Sequence, residues 1–184
     1  MKKIFIAVFT VSVFSTGFSQ NVVTENWDNG QKKQEGILYG SVEMPKTDLP
    51  AQRAERMKNS LKDGKWSYWY KNGVQRAEEN YKMGVETGIW KSWYENGQQG
   101  SEVNYETGKA VYWYTNGAKN SEGTMLKGGK HDGKWTAWFE NGQLNYIGNY
   151  KNGQKDGEWI WYDQKGKITA KETFDAGIKT ASKN

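Results

Sequence analysis

An aromatic segment closed by a glycine turn recurs along this chain, and that recurrence constrains the fold more than any bulk property. The turn glycines are Gly30, Gly73, Gly97, Gly117, Gly142 and Gly166, at intervals of 43, 24, 20, 25 and 24 residues. From the second onward they close the segments WSYWYKNG, WKSWYENG, AVYWYTNG, WTAWFENG and WIWYDQKG. A fixed period of this size means one supersecondary unit stacked on copies of itself. Asn-Gly between aromatic runs predicts a β-hairpin with a type I′ turn, which needs positive φ at both central residues. The expected fold is therefore all-β: a single elongated, twisted antiparallel meander of hairpin repeats.

A symmetric loop of two or four residues makes cross-strand partners share a constant sum of residue numbers. That arithmetic sets Gly64 opposite Tyr81, Gly88 opposite Tyr105, Gly133 opposite Tyr150 and Gly157 opposite Phe174. A ring laid over a cross-strand glycine covers backbone and pins register, the role expected of these pairs. Gly108 faces only Met125, so the fourth repeat is expected to be the weakest. Aliphatic residues are few, but the chain carries 10 Trp and 11 Tyr. Each such ring buries about 150–250 Å², so an aromatic core can stand in for an aliphatic one.

The segments DGKWSYWYKNGVQRAEENYKMG and TGIWKSWYENGQQGSEVNYETG carry a GxWxxWYxNG…E…Y…G cadence. In this the chain resembles the MORN family, specifically the bacterial MORN-repeat variant found in exported proteins and in proteins described as YwqK-type antitoxins. The resemblance covers roughly residues 24–40 and 63–177. It implies a hairpin meander and no enzyme activity. Three positions depart from the cadence: Ala110 stands for Trp in the fourth repeat, Ile147 for Glu in the fifth, and the last turn is Lys165-Gly166.

Residues 1–19 differ from the rest. Lys2 and Lys3 precede an apolar run from Ile4 to Phe14, and Gly17-Phe18-Ser19 offers small residues for cleavage before Gln20. This is the pattern of a secretory signal peptide, too short for a membrane span. Removing Lys2 and Lys3 takes the formal charge from +5 to +3. With no Cys there is no disulfide and no acylated N-terminal cysteine, so a soluble exported protein rather than a lipoprotein is expected. The remaining organisation is a degenerate first repeat over 20–40, an insertion over 41–62, five full repeats over 63–177 and a tail over 178–184. Within the insertion, Ala54, Met57 and Leu61 have helical spacing after Pro50. They fit either a short helix over 48–62 capping the sheet edge or a loop presenting Arg53, Arg56 and Lys58.

Catalytic motifs are absent. No GxSxG or Cys nucleophile exists, and the single imidazole, His131, falls in GGKHDGKW and is expected in an exposed turn. The stretch Gly128 to Lys134 matches GxxxxGK, but Trp135 follows where a P-loop needs Ser or Thr. The Asp of DGKW and DGEW stand alone and suit turns rather than calcium. Glu35, Glu78, Glu102 and Glu122 recur five residues after the turn glycine, and a feature that recurs with the repeat serves structure, through pairing with Lys or Arg on an adjacent strand, rather than a unique catalytic pair. Neither enzyme activity, cofactor nor metal is expected.

Both faces of such a sheet carry aromatics, because side chains alternate along a strand. Trp66, Tyr68 and Tyr70 share one face in the second repeat, and Trp69 takes the other. The second aromatic of each strand (Trp69, Trp93, Trp113, Trp138 and Tyr162) is the expected ligand row, since it stays aromatic where Ala110 and Ala137 interrupt the opposite face. If that row is core instead, the site moves to the face of Trp66, Tyr70, Trp90 and Tyr94. A protein or peptide partner in the cell envelope or outside ranks first, a cell-wall or extracellular glycan second and a membrane surface third. Export and the absence of a basic patch disfavour nucleic acid.

Overall fold

The computed structural model describes residues 6–9, 20–39 and 61–183. Among them are strands and turns and no helix. The chain divides between Gly88 and Ile89 into two compact units. The first contains β1 (Ile6–Phe9), β2 (Gln20–Asn26), β3 (Lys32–Tyr39), β4 (Leu61–Trp69), β5 (Gln75–Lys82) and the start of β6 (Val85–Trp93). The second contains the rest of β6, then β7 (Gln99–Asn104), β8 (Lys109–Trp113), β9 (Lys119–Met125), β10 (His131–Trp138), β11 (Leu144–Lys151), β12 (Gln154–Tyr162), β13 (Ile168–Asp175) and β14 (Ile178–Lys183). Within each unit every strand pairs antiparallel with the next in the chain, as the meander expectation requires.

Two segments differ from expectation at their ends. The region assigned as a C-terminal tail forms β14, paired to β13 after a turn at Ala176-Gly177. Leu61, the last apolar residue of the helical spacing, is the first residue of β4 and pairs with Tyr39. The remainder of the expected helix or loop, including Ala54 and Met57, lies outside the described residues.

The repeat turn has a different chemistry from the type I′ turn expected. Tyr70 N–H donates to the Val74 carbonyl at 2.8 Å and Gly73 N–H to the Tyr70 carbonyl at 3.0 Å, closing a three-residue loop. The same pair of bonds closes the turns at Trp27, Tyr94, Tyr114, Phe139 and Asp163. The glycine alone takes positive φ there; the asparagine stays in the ordinary region and uses its side chain. Its Oδ1 accepts the N–H two residues on, as Asn72 does from Val74 at 3.0 Å. Its Nδ2 reaches the next repeat, as Asn96 does to the Thr115 carbonyl at 3.0 Å.

A loop of odd length would break the predicted register, yet the register holds. Trp69 pairs with Gln75, but the next pair is Tyr68 with Ala77, so a bulge at Arg76 restores the lost residue. The same shift follows every repeat loop. Gly64 accordingly faces Tyr81, Gly133 faces Tyr150 and Gly157 faces Phe174, while Ile89 faces Asn104 as that register requires. Positive φ at two successive residues appears instead at the links between repeats, Met83-Gly84, Asn152-Gly153 and Ala176-Gly177. Asp63 and Asp132 hold two of these links, their Oδ1 accepting Met83 N–H at 3.1 Å and Asn152 N–H at 3.0 Å.

The core is made by tryptophan laid on glycine, at other glycines than those expected. Between the pairs Ile147–Ile160 and Asn149–Asp156, Gly148 alone opposes three residues of β12, Gly157 to Trp159. The Trp159 indole lies so close over Gly148 that a Cβ there would come within 2.2 Å of the ring. Its Nε1–H donates to the Asn149 carbonyl at 3.1 Å. Trp66 repeats this on Gly36 with the Ile37 carbonyl, and Trp135 on Gly123 with the Thr124 carbonyl. Gly157, by contrast, has no atom near its Cβ direction and serves the bulge through its φ of +74, which only glycine adopts without strain.

A single layer buries these rings because tall neighbours roof them. Trp66, Trp135 and Trp159 are 2%, 1% and 0% exposed. Lys155 holds its ammonium 4.4 Å from the centroids of Trp159 and Trp161, and Lys62 sits 4.9 Å from Trp66. His131 occupies the equivalent place over Trp135, stacked with centroids 3.7 Å apart. It is thus a half-buried strand residue rather than an exposed turn residue, because four residues before the core tryptophan is the roof position. Burial lowers its pKa, as it lowers that of Lys155.

Candidate functional site

With Trp66, Trp135 and Trp159 in the core, the opposite face is the one left to solvent. The ladder pairs assign it without reference to any ligand. In the second unit Lys91 faces Glu102, Glu102 faces Val111, Val111 faces Glu122, Glu122 faces Thr136, Thr136 faces Ile147 and Ile147 faces Ile160. Two residues along from Lys91, Val111, Thr136 and Ile160 stand Trp93, Trp113, Trp138 and Tyr162, each the last residue of its strand. Alternation places these four rings on that same face. Trp69 holds the equivalent position in the first unit, at the end of β4.

All five rings of the expected row are half-buried, neither core nor fully open. Each lies at the start of a repeat loop, opposite Gln75, Gln99, Lys119, Leu144 or Ile168. The backbone of Trp69, Trp113 and Trp138 is pinned by the preceding repeat. Tyr94 Oη–H donates to the Trp113 carbonyl at 2.8 Å, Tyr114 Oη–H to the Trp138 carbonyl at 2.9 Å, and Trp27 Nε1–H to the Trp69 carbonyl at 3.2 Å. These bonds fix the strand ends that carry the rings, which lowers the backbone entropy lost on binding.

The face is charged but balanced. Glu35 pairs with Lys32 at 2.8 Å, Glu78 with Lys65 at 2.6 Å, Glu102 with Lys91 at 3.3 Å and Glu122 with Lys119 at 2.9 Å. The recurring carboxylates are therefore partners of lysine, Glu78 and Glu102 across to the adjacent strand as expected, but Glu35 and Glu122 with a lysine three residues earlier on their own strand. Lys32 also lies 5.1 Å over the Trp69 ring, and Lys119 lies 5.1 Å over Trp138. Exposed pairs of this kind add little stability, about 0–1 kcal/mol each. Their main effect is to leave no strong field of either sign.

This face carries shallow hollows, and one of them includes a ring of the expected row. A shallow groove of about 310 Å³ over β6–β9 is lined by Ile89, Gln99, Glu102, Val111, Trp113 and Lys119, among others. Trp113 forms its aromatic wall, and the paired carboxylates Glu102 and Glu122 border it. Sequence reasoning singled out Trp113 but not Ile89, Lys109 or Val111 beside it. Only the alternation pattern could have signalled them, since no motif marks these residue types.

Among the described residues no group of three or more His, Asp or Glu is placed to hold a metal. The family profile of the MORN repeat variant matches residues 62–83, 86–106, 132–152 and 155–176. The matched spans omit the copy that contains Ala110, yet that copy folds as a hairpin in the same register. A search of the curated proteins found no match to the chain.

Proposed function

From its membership of the MORN repeat variant family, whose repeats form a scaffold, we propose that this chain is an exported, non-catalytic binding protein. Its ligand surface is the row Trp93, Trp113, Trp138 and Tyr162 of the second unit, and Trp69 holds the equivalent place in the first. The observation that carries this reading is the division of labour between the two faces. One row of tryptophans is closed into the core, while the second is half-open and set among polar partners. A protein or peptide partner of the cell envelope is the first reading, consistent with the use of repeat scaffolds as extended binding surfaces. Affinity capture from envelope extract with the purified protein and with its Trp93→Ala and Trp113→Ala variants tests it. The expected result is loss of the captured partner with both variants at a melting temperature lowered far less than by a core substitution such as Trp159→Ala. Retention by folded variants refutes the surface.

A further inference from the structure

The groove on the second unit holds a place that other copies of the repeat fill for themselves. We infer that it takes a lysine side chain of the protein partner, the ammonium over the Trp113 ring and against the Glu102 carboxylate. This rests on the proposed ligand surface and names the partner chemistry that the surface accepts.

Register makes the copies comparable. Glu35 faces Ser67, Glu102 faces Val111 and Glu122 faces Thr136 across the ladder. Two residues beyond those partners stand Trp69, Trp113 and Trp138. Three residues before the glutamates stand Lys32, Gln99 and Lys119, each the first residue of its strand. In two of the three copies the lysine joins ring and carboxylate. Lys32 Nζ lies 5.1 Å from the Trp69 centroid and 2.8 Å from Glu35. Lys119 Nζ lies 5.1 Å from the Trp138 centroid and 2.9 Å from Glu122. The ring quadrupole attracts the ammonium, and the carboxylate adds a charge-assisted bond. The chain thus displays the recognition geometry twice with its own lysines.

At Trp113 the ring and the carboxylate are kept, and glutamine replaces the cation. Gln99 is neutral and reaches Glu102 only at 3.5 Å and the Ser101 carbonyl at 3.4 Å. The lysine paired with Glu102 is Lys91 of β6, on the side of β7 away from Trp113. Lys119, the ladder partner of Trp113, is turned to Glu122 and Trp138. Among the described residues no cation lies over the Trp113 ring. Space is present as well, because Gln99, Glu102 and Trp113 line the groove of about 310 Å³ together. A carboxylate has more acceptor sites than Lys91 uses, and the Gln99 side-chain carbonyl supplies another. One half-open ring holds a free ammonium ion weakly. A lysine carried on a segment already seated along the row binds as an intramolecular event and escapes that limit.

Nuclear magnetic resonance of the isotope-labelled protein tests this through the indole N–H signals, that of Trp113 being assigned from Trp113→Phe. The probes are a short peptide of alternating threonine and lysine, its acetyl-lysine form and its glutamate form. Only the lysine peptide is expected to shift the Trp113 signal saturably. Glu102→Gln is expected to weaken its binding about tenfold. Gln99→Lys, which restores the lysine of the sister copies, is expected to keep the parent melting temperature and abolish the shift. Glu102→Gln carries the test if that variant unfolds. No Trp113 shift with the lysine peptide, equal shifts with its acetyl-lysine form, or binding untouched in folded Gln99→Lys overturns the inference. In affinity capture from envelope extract, Gln99→Lys is expected to lose the partner as Trp113→Ala does. If Trp113→Ala loses the partner and Gln99→Lys keeps it, the inference falls and the binding surface stands. If both variants keep it, both fall.

Discussion

A tryptophan on this chain has one of two fates, and the residue across from it decides which. Trp159 lies flat because Gly148 leaves room for it, and any Cβ at Gly148 would meet the ring at 2.2 Å. Gly148→Ala is therefore expected to cost about 1–3 kcal/mol, the range for overpacking a closed core, measured by urea unfolding. Trp159→Ala is expected to cost about 3–5 kcal/mol, whereas half-buried Trp113→Ala should cost much less under the same assay. Equal losses at the two positions would show that the second row is core after all. His131 makes a separate prediction at this scale. Burial against Trp135 lowers its folded pKa below the ordinary value, so the unfolded chain binds the proton more readily. Stability is complete above the ordinary histidine pKa and is lost as pH falls from there toward the folded value. His131→Lys, which restores the roof residue found at Lys62 and Lys155, should remove that step from a pH series of thermal melts.

At the scale of the element, each hairpin compensates an odd loop with a bulge. Its register was legible because both irregularities recur in every copy and cancel. The fourth repeat shows how far the hairpin tolerates substitution. Ala110 replaces the core tryptophan, and Val103 directly opposite replaces the glycine, so side-chain volume moves from one strand to the other. Both residues are buried in one cluster with Trp135. Ala110→Trp alone is expected to destabilise by about 1–3 kcal/mol through overpacking. Adding Val103→Gly should recover part of that loss in a double-mutant cycle. Additivity of the two would refute the exchange. The links between repeats carry a second element-scale expectation. Ala176 sits at φ 46 without a side chain suited to it. Ala176→Gly is expected to stabilise the β13–β14 hairpin by up to about 1 kcal/mol, seen as a raised denaturant midpoint.

At the scale of the whole molecule, stability is a sum over neighbouring repeats rather than the property of one enclosed core. Export completes the proposal at this scale: mass spectrometry of the secreted or periplasmic form is expected to find Gln20 at the N-terminus, and a protein retaining Met1 would refute it. The recurrence of aromatic segment and glycine turn by itself determined the hairpin meander and the strand register, because a repeated pattern reports a need that the copies share. Which aromatic row is core was decided only by the tertiary structure. Trp66 and Trp69 are alike in composition and local propensity, and differ in whether the neighbouring strand offers a glycine for the ring to lie on, as Gly36 does for Trp66. The turn chemistry was decided there too. The Asn of Asn-Gly satisfies two local rules equally, positive φ or a side-chain bond, and the carbonyl of the next repeat, 2.9 Å away for Asn29 and Lys71, selects the second.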